Sequence, residues 1–93
     1  KEIFVLKVKG SSMIEDHIQD EDYVIVERRD VAENGETVVA LIDNDRATLK
    51  RFYREKGRVR LQPAHPNMKP IILREGDFAI QGVVIGLLRK FDK

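Results

Sequence analysis

Turn signals recur along this chain and leave little room for helices, while the stretches between them are rich in β-branched residues. Gly10-Ser11-Ser12, Asp20-Glu21-Asp22, Asn34-Gly35, Asp43-Asn44-Asp45, Glu55-Lys56-Gly57 and Arg74-Glu75-Gly76-Asp77 punctuate it. Between them, Ile3 to Val8, Tyr23 to Arg28, Thr37 to Ile42, Arg46 to Arg54 and Arg58 to Gln62 read as strands, the last in strict alternation. Asp43-Asn44-Asp45 turns the chain tightly, so the runs on either side form a hairpin. Met13 to Asp22 reads as a short turn of helix and a loop. Pro63, Pro66 and Pro70 bracket a connection that cannot enter a central ladder. Phe78 to Leu88 reads as a long or bent strand with two apolar faces, which calls for protein on both sides. The expected fold is mostly β, a compact antiparallel domain of several short strands with little helix.

Ninety-three residues suit one small domain, residues 1–93. A formal net charge of +1, with acids and bases interspersed, supplies no basic face for nucleic acid. The absence of cysteine removes disulfides, thiolate metal sites and cysteine nucleophiles, and points weakly to the cytosol. The longest apolar run, Val83 to Leu88, is too short to cross a bilayer, and the first residue, Lys1, suggests that sequence precedes it.

The corner Gly10-Ser11-Ser12-Met13 follows the first strand directly, where a hydroxyl can be presented off a rigid edge with backbone N–H groups beside it. A serine hydroxyl needs a base at neutral pH. Lys50 is the candidate: strand alternation puts Thr48, Lys50 and Phe52 on one face, so the amine lies between a hydroxyl and a ring, where loss of water lowers its pKa. Each feature alone is common, since serines cap turns and lysines face water. Thr48 is either a hydrogen-bond partner of the neutral amine or an ordinary strand residue. His17, near Glu15, Asp16 and Asp20, shows no metal-ligand spacing, and solvated acids on a loop account for that charge run. His65 lies between Pro63 and Pro66 and reads as connection. No metal and no cofactor are expected.

Phe4 to Met13, then Ile18 to Asp22, Asn34 to Ala40, Ala47 to Arg51 and Gly82 to Gly86 together resemble the C-terminal domain of LexA-type repressors. The core is Gly-x-Ser-Met followed by Thr-x-Lys-Arg, and the likeness covers essentially the whole chain. The resemblance implies a fold shared with signal peptidases and a serine endopeptidase with a Ser-Lys dyad, Ser12 as nucleophile and Lys50 as general base. It also implies backbone oxyanion donors near Ser11 and Met13, and only the resemblance, not the corner itself, selects Ser12 over Ser11. Partners implied are a second copy, through the apolar C-terminal strand, and a RecA filament on single-stranded DNA that stimulates self-cleavage in the SOS response to DNA damage. DNA itself would be bound only by an N-terminal winged helix-turn-helix, which this sequence lacks, as it lacks an Ala-Gly cleavage bond. Same-fold alternatives are an UmuD-like mutagenesis protein and a phage repressor; a non-catalytic dimerisation module is the alternative of another class. Where the family has Asp-Gly-Asp, this chain has Asp20-Glu21-Asp22, so a different turn is expected there.

Overall fold

A computed structural model of the chain describes residues 1–43 and 46–91. It contains β1 (Ile3–Lys7), a 3₁₀ turn (Ile14–Asp16), β2 (Tyr23–Arg28), β3 (Thr37–Ile42), β4 (Arg46–Glu55), β5 (Arg58–Gln62), β6 (Ile71–Leu73) and β7 (Phe78–Leu88). All the strands join one antiparallel sheet in the order β1-β2-β7-β3-β4-β5-β6. The β3–β4 hairpin forms as expected, although the tip of its turn, Asn44-Asp45, lies outside the described residues. β6 was not expected. Three aliphatic residues between Pro70 and Arg74 are too few to show a period, and they become a strand by pairing with Val59–Leu61 of β5.

Successive residues of the central strands enter different cores. Val38 joins a cluster with Ala40, Ile42, Phe52, Val59 and Leu61, while Val39 joins one built on Met13, Ile18, Val24 and Val26. Val83 and Val84 of β7 divide in the same way. This is why Val38-Val39-Ala40 and Gly82-Val83-Val84 are apolar without alternation: those segments are covered on both faces by their own chain. Phe52, fully buried, alone contributes about 1.5–3 kcal/mol of apolar burial. The second half of β7 differs. Ile85, Leu87 and Leu88 are exposed, and the exposed Ile3 and Val5 of β1 flank them across β2.

β7 lies between β2 and β3, and each of those pairings contains a bulge, at Ile25/Val26 and at Val39/Ala40. Gly82 borders the second of these bulges, opposite Val39, and pairs with Arg28 on its other side. A β-carbon there would collide with Val26 Cγ1 and stand 2.6 Å from the Glu27 carbonyl oxygen, so only glycine lets the strands approach this closely.

The far end of β7 is tied to the loop after the 3₁₀ turn. Arg89 donates from Nε and Nη2 to the two carboxylate oxygens of buried Asp22, at 2.7 and 2.8 Å, and from Nη2 to the His17 carbonyl at 2.9 Å. Arg89 holds the Asp22 carboxyl down at about 2 against the upward pull of burial, with help from the Gln19 N–H. In the same loop Glu21 adopts φ 75, the left-handed conformation a glycine takes readily.

Candidate active site

The serine corner is fixed by its surroundings rather than by its own sequence. After β1, the Val8 N–H bonds the Asp22 carbonyl at 2.8 Å and the Glu21 N–H bonds the Val8 carbonyl at 2.9 Å, so the strand pairing runs on to the corner. Gly10 then turns the chain at φ 91, its N–H donating to Asp20 Oδ1 at 2.6 Å. Met13 is buried among Ile18, Val24, Val26 and Val39 and anchors the far side of the corner. Between these fixed points Ser11 faces out and Ser12 turns partly inward.

The base candidate stands where the sheet opens. β5 pairs with β4 only from Arg51 to Glu55, whereas β3 pairs with it from Arg46 to Arg51. Lys50 is thus the first residue of β4 to lose its β5 neighbour. The chain leaving β5 turns instead to the serine corner: the Ala64 N–H donates to the Ser12 carbonyl at 2.8 Å, and the Glu15 N–H donates to the Ala64 carbonyl at 2.8 Å. Ser12 is thereby brought opposite the amine. Lys50 Nζ lies 3.2 Å from Ser12 Oγ, 2.7 Å from Thr48 Oγ1 and 3.2 Å from the Leu49 carbonyl oxygen.

Lys50 is 7% exposed and has no carboxylate among its hydrogen-bond partners. Burial lowers its pKa below the ordinary lysine value, and the positive charge of Arg46 lowers it further. Both effects weaken the ammonium relative to that of a solvated lysine. Beside the pair an open cavity of about 260 Å³ is lined by Leu6, Val8, Val39 and Leu49 as well as by Ser12 and Lys50. It offers an apolar wall for a small side chain next to a hydroxyl and an amine. Among the described residues nothing accepts the N–H of Ser12 or of Met13, so both remain able to donate to an oxyanion.

Several contributors to the site carry no signal in the sequence. Ala64 acts through its backbone, and the stretch read as mere connection proves to clamp the serine carbonyl. Two of the three acids read as solvated are engaged: Asp20 Oδ1 accepts the Gly10 N–H, and Asp16 Oδ2 accepts Arg51 Nη2 at 2.6 Å. His17 occupies a left-handed position at φ 66, and neither it nor His65 contacts Ser12 or Lys50. No group of three or more metal-ligating side chains occurs among the described residues. No helix among them is long and apolar enough to cross a membrane.

Comparison with known proteins adds a family. The model of the Peptidase S24-like family matches residues 1–85. The chain is 55% identical over 91 residues to a LexA repressor of Koribacter versatilis (strain Ellin345), covering 98% of this chain and 43% of that protein. It is 52% identical over 91 residues to a LexA repressor of Syntrophotalea carbinolica, covering 97% and 45%. To a LexA repressor of Bacillus subtilis (strain 168) it is 51% identical over 87 residues, covering 94% and 42%. The chain thus spans less than half the length of these relatives.

Proposed function

The chain belongs to the Peptidase S24-like family, and we propose that residues 1–93 are the self-cleaving and dimerising C-terminal domain of a LexA-type repressor, a serine endopeptidase with Ser12 and Lys50 as its dyad. The contact between Lys50 Nζ and Ser12 Oγ, made by a buried amine without a carboxylate partner, carries this reading. A neutral amine has two N–H donors and one lone pair. Thr48 Oγ1 and the Leu49 carbonyl accept the two donors, which leaves the lone pair for the Ser12 hydroxyl.

Lys50 takes the Ser12 proton as Oγ attacks the carbonyl carbon of the scissile peptide. The oxyanion is met by backbone N–H groups from Ser11 to Met13. The Lys50 ammonium returns the proton to the departing amine, the peptide C–N bond breaks, and the acyl group stays on Ser12 as an ester. Water, deprotonated by Lys50, then opens the ester and frees both product and hydroxyl. The cut bond, in the manner of the family, joins small residues such as Ala-Gly, fits the apolar wall beside Ser12, and lies in another segment of the repressor. A RecA filament stimulates the cut, DNA is held by a separate domain, and the protein acts in the cytoplasm.

A fluorophosphonate probe tests the nucleophile. Ser12 is expected to be labelled, Ser12→Ala to show no labelling, and Ser11→Ala to keep it. A parent protein that stays unlabelled at pH 9 would favour a non-catalytic dimerisation module.

The exposed apolar side chains of β1 and the end of β7 are the surface for a second copy. Val84 turns into the core, so Ile85 and Leu88 are the residues that probe it. Ile85→Glu or Leu88→Glu is expected to weaken self-association at least tenfold, with thermal unfolding little changed. Sedimentation equilibrium at micromolar concentration checks this, and a parent that sediments as a monomer rules the surface out.

A further inference from the structure

Arg51 follows the base candidate directly, yet the dyad chemistry gives it no task. It is the last residue of β4 with a partner on each side, Thr37 on β3 and Gln62 on β5. Its backbone is therefore the rigid point from which Lys50 projects. From that point its guanidinium reaches Asp16, with Nη2 2.6 Å from Oδ2. Asp16 closes the 3₁₀ turn that begins immediately after Met13, and its N–H donates to the Met13 carbonyl at 3.0 Å. No side chain caps that turn at Met13. The Arg51–Asp16 pair fastens its outer end, beside the Arg89 bond to the His17 carbonyl.

Arg51 Nε is buried without a protein partner among the described residues, while Nη2 bonds Asp16. Tyr53, foremost, and Asp16 both favour the charged form of Arg51. With side chains 39% and 23% exposed, the pair adds little to folding stability. Position is another matter, since an error of about 1 Å in a reacting group can cost about 10²-fold in rate.

We propose that Arg51 is a positioning residue for Ser12: by holding Asp16 it sets the serine corner at its distance from Lys50, so that two adjacent residues of β4 supply the base and the fixture for the nucleophile. This rests on the dyad reading, and its test separates the two.

The experiment uses the full-length protein and measures Ser12 labelling by a fluorophosphonate over a range of probe concentrations and pH. Arg51→Met and Asp16→Asn should each lower the maximal labelling rate about 10–100-fold, with the half-saturating probe concentration changed less than about threefold. The double variant should lose no more than the larger single loss, because both act through one contact. The pH at half-maximal rate should not move, as the burial of Lys50 is untouched. Arg51→Lys, whose ammonium can still meet Asp16, should recover most of the rate. Asp16→Asn labelling at the parent rate overturns the proposal, as does a double variant that loses the product of the two single losses. Should Arg51→Met fail to fold, Asp16→Asn decides alone. A parent that cannot be labelled removes the dyad and this role with it.

Discussion

Replacing Lys50 by alanine is expected to lower the rate of self-cleavage by a factor on the order of 10⁴ or more, the scale on which loss of one member of a nucleophile–base pair acts. The pH profile identifies the cause. An unperturbed lysine has a pKa of about 10.4 and offers a neutral amine in only about one molecule in 2,500 at pH 7. Burial, with Arg46 adding to it, lowers the pKa of Lys50 and enlarges that fraction about tenfold per unit. The cleavage rate should therefore climb as pH rises through the lowered pKa and level off once the amine is neutral. A histidine base would bring the rise near pH 6.5 instead. Single-turnover cleavage from pH 6 to 10.5 on the parent, His17→Ala and Lys50→Ala distinguishes them. A Lys50→Ala protein with the parent's rate, or a folded His17→Ala protein without it, would sink the dyad.

The same shift has a signature that needs no substrate. Because the folded chain binds the Lys50 proton less tightly than the unfolded chain, folding stability must increase with pH between the lowered pKa and about 10.4. Lys50→Met should remove that increase while preserving the fold.

The second large effect belongs to a residue far from any chemistry. Gly82→Ala should destabilise the domain by roughly 2–3 kcal/mol, as overpacking against backbone does. For a chain of this size that lowers the unfolding temperature by about 10–20 °C. The clash at 2.6 Å is with the Glu27 carbonyl of β2, which can retreat only by opening the sheet. Gly86 provides the comparison. A β-carbon there meets the Ile25 Cδ1 methyl at 3.2 Å, the movable tip of a side chain, so Gly86→Ala should cost less than about 1 kcal/mol. Calorimetry giving equal shifts for the two variants would remove the argument from close approach.

Most strands were legible in the sequence because alternation and turn residues act locally. Arg58 to Gln62 could be read from its own pattern, and so could the Asn34-Gly35 turn before β3. β6 could not: its strand character comes from β5, and three residues do not make a period. The double cover expected along β7 is found only in its middle, where Val83 and Val84 face two cores of this chain, while Ile85 and Leu88 face outward. At the site, Ser12 and Lys50 were marked by residue type and by family resemblance. Ala64 was invisible because a backbone N–H has no residue type. Asp16 was read among solvated acids and Arg51 only as the end of Thr-x-Lys-Arg, for their meeting depends on how the serine corner packs against β4.

Lys50 stands 38 positions after Ser12, and the clamp that brings them together comes from Ala64, later still. Pairings between distant segments close late, because the chain must surrender its freedom before such contacts repay it. Ser12 precedes Ala64 by most of the sheet, so the bond from the Ala64 N–H to the Ser12 carbonyl joins the first corner of the chain to the segment that follows β5. The closeness of hydroxyl and amine is thus a property of the whole sheet rather than of either segment, since it draws on the serine corner, β4 and the chain beyond β5 at once.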